Sequence, residues 1–302
     1  MNAQHGIYAL GNREHCFVEL DLVSGADPVE LVRAAGGLTG PLSTIGGVNV
    51  VVGFRPQLWA GVAPDDAPAD VHAFDEDIVG PDGFTMPATQ RDGFLWIAGG
   101  SRTAVFDTSR EALRCLGSVA RPAVEVTGWV YQHDRDLTGF IDGTENPSLL
   151  EAAEVVAVPE GKPGAGSSVL LFQLWPHDTP AWTGISDAAQ EKVIGRTKPD
   201  SIELSEKDMP ADSHVSRTVL EVNGEELDIF RRNVAYGGVT DHGTVFVGFS
   251  REQFRLHQML RRMAGVVDGP RDALTRYTRP VSGAYYTIPS LEALAMFAPE
   301  DE

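Results

Sequence analysis

The chain has 302 residues, of which 42% are hydrophobic and 22% charged, so it has the length and composition of a folded protein with one large domain or two modest ones. Its 24 Lys and Arg against 43 Asp and Glu give a formal charge of −19. With no clustered basic stripe, that balance disfavours a nucleic-acid partner and an anionic membrane surface alike.

The N-terminal text MNAQHGIYALGNREHC lacks both a basic start and an apolar stretch, so it does not read as a signal peptide. No apolar run has the length of a membrane span. Cys16 and Cys115 stand far apart, which argues against thiol redox chemistry, an iron–sulfur cluster or structural zinc. A cytoplasmic location is expected. No two of the eight histidines have HExxH or other close ligand spacing, so a metal site would need a lone histidine or distant residues.

In chain order, CFVELDL (Cys16 to Leu22) predicts a strand. DPVELVRAAGG follows, with Asp27 as cap and Pro28 opening a short helix that glycine ends. NVVVGF (Asn49 to Phe54) and FLWIAG (Phe94 to Gly99) read as buried strands. A helix is expected from Asp107 in DTSREALRCLGSVA, and an alternating strand in AVEVTGWVY (Ala123 to Tyr131). Residues 145–166 form a connector with a helical scrap and a Gly/Pro loop.

The second half repeats the outline. SSVLLFQLW reads as a strand, SDAAQEKVIG as a glycine-closed helix, and RTVLEV and TVFVGFS as strands. REQFRLHQMLRRMAG predicts an amphipathic helix with Phe254, Leu256, Met259, Leu260 and Met263 on one face. VGF at Val52 and again at Val247 is a weak internal similarity, and it points to two α+β units of one kind. No GxGxxG follows a strand, which disfavours a Rossmann fold.

Four segments carry candidate chemistry. In GFIDGTENP (Gly139 to Pro147), Asp142 sits between glycines. It is either a surface turn or a carboxylate buried beside Phe140 and Ile141, where desolvation would raise its pKa. His214, in DSHVSR, precedes the expected strand RTVLEV and is either a core histidine or a ligand. Arg231 and Arg232, in DIFRRNVAYG, are either a solvent-facing residue and a salt-bridge partner, or one of them holds an anion in a pocket. Arg196 in IGRTK stands at a helix terminus, suited to a carboxylate or phosphate.

These segments together closely resemble the dye-decolourising peroxidases, a haem-peroxidase family. GFIDG fits the family's GxxDG signature and the match runs on through TENP. His214 falls at its proximal haem ligand, Arg231 at its distal arginine, Asn233 at a distal asparagine of some members and Arg196 at a haem-propionate contact. FRPQLW, PATQRDG, HDTPAW and GPRDALTRYTRPVSGAYYTIP extend the resemblance over nearly the whole chain. Arg232 between Arg231 and Asn233 departs from the pattern, as does Val234-Ala235-Tyr236 in place of the Met-Pro-Phe of some relatives.

The resemblance implies an α+β fold of the compact bacterial branch: two ferredoxin-like domains packed together, residues 1–150 and 151–302, with haem in the C-terminal one. It implies one heme b per chain, its iron bound by His214. It further implies a peroxidase that reduces hydrogen peroxide and oxidises organic donors such as dyes or phenols in one-electron steps. Asp142 would shuttle the peroxide proton, Arg231 would stabilise developing charge and Asn233 would orient peroxide or water. A carboxylate behind the imidazole would raise its donor strength, with Glu226 and Glu221 as candidates. Trp59, Trp96, Trp129, Trp175 and Trp182 are core packing or electron stepping stones. The partners expected are peroxide and reducing substrates, with neither nucleic acid nor membrane, in a homo-oligomer. The alternative is a haem-handling protein that stores or delivers haem or releases its iron.

Overall fold

A computed structural model describes residues 1–38, 47–132 and 135–297. The first half runs β1 (Glu14–Leu22), α1 (Pro28–Gly36), β2 (Val48–Phe54), α2 (Pro56–Val62), the two-residue pair β3 (Ile78–Val79) and β4 (Thr85–Met86), β5 (Gly93–Gly99), α3 (Arg102–Leu116) and β6 (Ala120–Trp129). The second half opens with α4 (Leu149–Val156), β7 (Ser168–Pro176), α5 (Thr179–Thr183), α6 (Asp187–Ile194) and α7 (His214–Thr218). It continues with β8 (Glu221–Val222), β9 (Glu225–Glu226), β10 (Phe230–Arg231), β11 (Val234–Gly237), β12 (His242–Ser250), α8 (Gln253–Met263), β13 (Ala284–Ile288) and α9 (Leu291–Ala295).

Local chemistry explains most of these boundaries. Asp27 accepts from the Val29 amide ahead of Pro28, as the sequence predicts for α1. Gly195 closes α6 at φ +95°, a left-handed conformation that glycine adopts without a Cβ penalty. Two boundaries differ from expectation. α3 starts at Arg102, with Ser101 as its cap, so Asp107 lies inside the helix. Phe254 is exposed because it stands in the first turn of α8, off the stripe that Leu256, Met259, Leu260 and Met263 bury.

The main sheet has strand order β10-β12-β11-β6-β1-β5-β2-β13-β7, and β7 also pairs with β12. The ring is therefore closed, and its pairings are antiparallel. Within the first half the order is β6-β1-β5-β2, and within the second β13-β7-β12-β11. Each is the 4-1-3-2 order of a ferredoxin-like βαββαβ unit. The repeated VGF falls on the second strand of the first unit but the third strand of the second, so strand order, not that motif, carries the duplication.

Alternation along each strand divides the side chains between two faces. On β1, Phe17 joins an inner cluster with Phe94, Trp96, Phe172, Phe249 and Tyr286, drawn from both halves of the ring. Cys16, Val18 and Leu20 face outward under α1 and α3. On the second unit, Leu171, Trp175 and Tyr285 face outward and pack with Leu256, Met259 and Met263 of α8. No helix among the described residues is long and apolar enough to cross a membrane.

Candidate active site

Beyond β6 the chain enters the loop that holds Asp142. Arg135 fixes this loop by donating to the carbonyls of Gly139, at 2.7 Å, and of Lys198 and Pro199. Gly139 and Gly143 both take positive φ, +91° and +77°, so the backbone turns tightly on either side of Asp142. Phe140 is buried against Trp182, whereas Asp142 is only half-buried and lines a cavity. Asp136 of the same loop is equally half-buried and lines the cavity too, and desolvation raises its pKa to about 6, with the charge of Asp142 adding to the shift. Its oxygen accepts from the amide and the hydroxyl of Thr138. The expected desolvated acid is thus six residues upstream of the one predicted.

Arg231 ends β10 and Asn233 precedes β11. Both reach the cavity from the strand edge, because residues two apart on an extended segment share a face. Asn146, from the TENP segment, binds the main chain of Arg231 through both ends of its amide. At Asn233 a side chain stands in for the ladder: its Oδ1 accepts from the Val247 amide at 3.0 Å. Its Nδ2 lies 3.5 Å from Asp142 Oδ1. Arg232 faces away from this cavity, buried and stacked on Trp96. It is therefore not solvent-facing, and among the described residues it has no salt bridge.

His214 lines the same cavity from the first turn of α7, capped by Ser213. RTVLEV is thus a helix end followed by a two-residue strand, not the long strand expected. The imidazole Nδ1 lies 2.7 Å from Asp272 Oδ2. Asp272 is fully buried, and its other oxygen accepts from the Leu274 amide at 2.8 Å. An acceptor-only carboxylate at Nδ1 assigns the proton to that nitrogen and leaves the Nε2 lone pair available. Glu221 and Glu226 do not take this role, since they pair with each other in the exposed β8–β9 hairpin. Arg196 also lines the cavity, directly after Gly195. Its guanidinium is engaged by Glu145, by Glu203 at 3.0 Å and by the Ser201 carbonyl.

The cavity holds about 1120 Å³ counting its mouth. Its apolar wall includes Ile194, Val215, Phe246, Met259, Leu260 and Leu274. Two buried donors on its lining have no partner among the described residues, Arg231 Nε and Gln173 Nε2, although buried polar groups are normally satisfied. A second cavity of about 980 Å³ shares Asp142, Arg231 and Asn233 with the first and opens past Leu10 and Tyr131. A wide apolar slot with one available imidazole nitrogen and orphaned donors fits a large flat cofactor.

Asp272, Asp136 and Asn146 were not singled out by sequence reasoning. Asp272 stands in the quoted segment GPRDALTRY, and a short acid before an apolar turn was its one local signal.

The chain matches the family described as Dyp-type peroxidase, C-terminal, over residues 133–293. It is 35% identical over 271 residues to a dye-decolorizing peroxidase of Mycolicibacterium paratuberculosis, covering 84% of this chain and 76% of that protein. Among solved structures, a DypB variant from Rhodococcus jostii RHA1 in complex with heme shares 32% identity and a TM-score of 0.87, covering 94% of each chain. A dye-decolorizing protein from V. cholerae gives a TM-score of 0.85 at 32% identity, over 96% of this chain and 98% of that one. The fold is thus that of a peroxidase, an oxidoreductase built on paired ferredoxin-like units. The chain belongs to the dye-decolorizing peroxidase family.

Proposed function

We propose that the chain binds one heme b in the large cavity, with His214 Nε2 as the axial ligand, and reduces hydrogen peroxide at the expense of organic donors. The observation that carries this reading is the His214–Asp272 pair, because an imidazole whose Nδ1–H donates to a carboxylate is oriented and made more basic for a metal at Nε2. When bound, the haem supplies the iron centre that accepts the two oxidising equivalents of peroxide and passes them on singly.

The surrounding side chains manage protons and charge. Peroxide must lose a proton from its inner oxygen and regain it on the outer oxygen, which leaves as water. Asp142 serves as the shuttle. Asn233 faces its Oδ1, so Oδ2 is the oxygen free to hold that proton. Arg231 stabilises negative charge on the separating oxygens, and its unpartnered Nε supports an anionic or polar guest at this wall. Arg196 contacts a haem carboxylate, exchanging part of its present contact with Glu145 and Glu203.

We also infer a division into residues 1–150 and 151–302, supported by the separate 4-1-3-2 order of each half. Free Cys16 and Cys115 support a reducing, cytoplasmic setting. We also propose a homo-oligomer, which light scattering tests.

An absorbance spectrum before and after stoichiometric peroxide tests cofactor and reaction together. A prompt shift of the haem band is expected, and His214→Ala should abolish stable axial ligation. Stable haem with no response to peroxide would favour a haem-handling role instead. Unchanged axial spectra in His214→Ala would reject the ligand assignment.

A further inference from the structure

Arg232 lies between two residues of the large cavity and, with His15, itself lines the second one. Its side chain enters the barrel, where it is 8% exposed. It donates to the Ile7 and Ala9 carbonyls, and its guanidinium carbon lies 5.1 Å from the centre of the Trp96 ring. Burial lowers its pKa to about 10, with no carboxylate among the described residues acting on it, so it is still a cation at neutral pH. An uncompensated buried charge is costly. Two carbonyls offset only part of that cost.

What the charge faces is the entrance to an oxidisable interior. Trp96 is 1% exposed, and its Nε1 donates to His15 Nδ1 at 3.0 Å. From Trp96 the rings continue to Phe17 at 5.9 Å, Phe172 at 5.6 Å, Phe94 at 5.0 Å and Tyr286 at 5.1 Å. The phenol of Tyr286 donates to buried Glu19 at 2.6 Å, a base placed to take its proton. Indole and phenol are the side chains here that most readily give up one electron.

Two features oppose that loss at Trp96. A radical cation on the indole would form against the fixed positive charge of Arg232, in an interior where repulsion is weakly screened. The proton has a poor acceptor as well, because burial first and Arg232 second lower the pKa of His15 to about 3. We infer that Arg232 is an electrostatic guard, whose charge keeps the oxidising equivalents of peroxide in the cavity and out of the aromatic interior of the barrel.

The inference rests on the peroxidase reading above, since peroxide supplies the oxidant: it takes up two electrons and two protons to become two waters. Without the guard, Trp96 gives one electron to the oxidised site, which is reduced by one, and the Nε1 proton moves to His15. Tyr286 then returns one electron to Trp96, whose Nε1 takes its proton back from His15, and the phenolic proton of Tyr286 passes to Glu19. Arg232 acts through Trp96 and touches no reacting atom.

The test treats the haem-loaded protein with peroxide in the absence of a donor and measures oxidation of Trp96 and Tyr286 by peptide mass spectrometry, per peroxide consumed. Arg232→Gln keeps N–H donors but loses the charge, and Arg232→Lys keeps the charge. Oxidation in Arg232→Gln should exceed wild type by about tenfold or more, and Arg232→Lys should stay near wild type. Equal oxidation in wild type and Arg232→Gln, with both consuming peroxide, overturns the guard while leaving the peroxidase reading intact. A wild type that consumes no peroxide overturns both. Trp96→Phe provides a test that does not depend on Arg232→Gln folding. With Arg232 in place it should leave Tyr286 oxidation unchanged, whereas a loss of Tyr286 oxidation would mean that electrons already pass through Trp96.

Discussion

Asn146 grips Arg231 by its backbone: Nδ2 donates to the Arg231 carbonyl at 2.8 Å, and Oδ1 accepts from the Arg231 amide at 2.9 Å. The loop carrying Asp142 is thereby tied to the strand carrying Arg231. Asn146→Ala removes both bonds at a net stability cost of about 1–3 kcal/mol. Loosening a charge-stabilising group should slow the reaction with peroxide by about 10–100-fold. Stopped-flow mixing checks the rate, and a far smaller effect would detach Asn146 from the placement of Arg231.

Asp272 uses one oxygen on His214 and the other on the turn that follows it. Asp272→Asn retains an acceptor for that turn but removes the anion behind the imidazole. Haem should then be held about 10–100-fold less tightly, measurable as faster transfer to an excess of a haem-accepting globin. Asp272→Ala should also lower unfolding stability by about 2 kcal/mol, because it strips buried partners. Wild-type retention in both variants would exclude a supporting role.

Asp136 sets a pH dependence. Its folded pKa is raised from 3.8 to about 6, so between those values the folded chain holds a proton that the unfolded chain has released. Stability from this group is therefore present below the window and is lost as pH rises through it. Asp136→Asn should remove that slope and be about 1–3 kcal/mol more stable than wild type at pH 7.5. Urea unfolding at pH 5 and pH 7.5 measures both terms, and an unaltered slope would contradict the assignment.

Net charge should steer the choice of donor. At −19, cationic and neutral aromatic donors should approach faster than anionic dyes at neutral pH, and added salt should narrow the difference. Steady-state rates for a matched cationic and anionic pair across ionic strength test this. No preference at low salt would show that local features, not total charge, govern access.

Strands that bury both faces were legible as short β-branched or aromatic runs, and α1 and α6 announced themselves by Asp27 and Gly195. His214 reads in the sequence as a ligand or a core histidine, and it lines the cavity, but its setting was not legible. A five-residue helix is too short to show a period, and RTVLEV alternates like a strand. Glu221 and Glu226 were chosen as its partners for nearness in sequence, whereas Asp272 is 58 residues away and arrives only through the packing of the fold. Similarly, Phe140 signalled that something near Asp142 is buried without revealing that Asp136 is the carboxylate whose pKa desolvation raises. Arg232 was open in the sequence because strand alternation separates it from Arg231 only once the strand's two faces are known.

The seam between β6 and β11 has a wider consequence. It consists of Ala235 against Trp129 and Tyr236 against Gly128. A Cβ at Gly128 would come within 2.6 Å of the Val234 side chain and 2.9 Å of the Ala235 carbonyl. Asp142 follows β6 and Arg231 precedes β11, so this contact works as a caliper on the two side chains that must share one peroxide. A fragment beginning at residue 151 would carry His214 and Arg231 but neither Asp142 nor Asn146. The transplantable unit for protein engineering is therefore the whole ring, and grafting the second half alone would move a cofactor cradle without its proton shuttle.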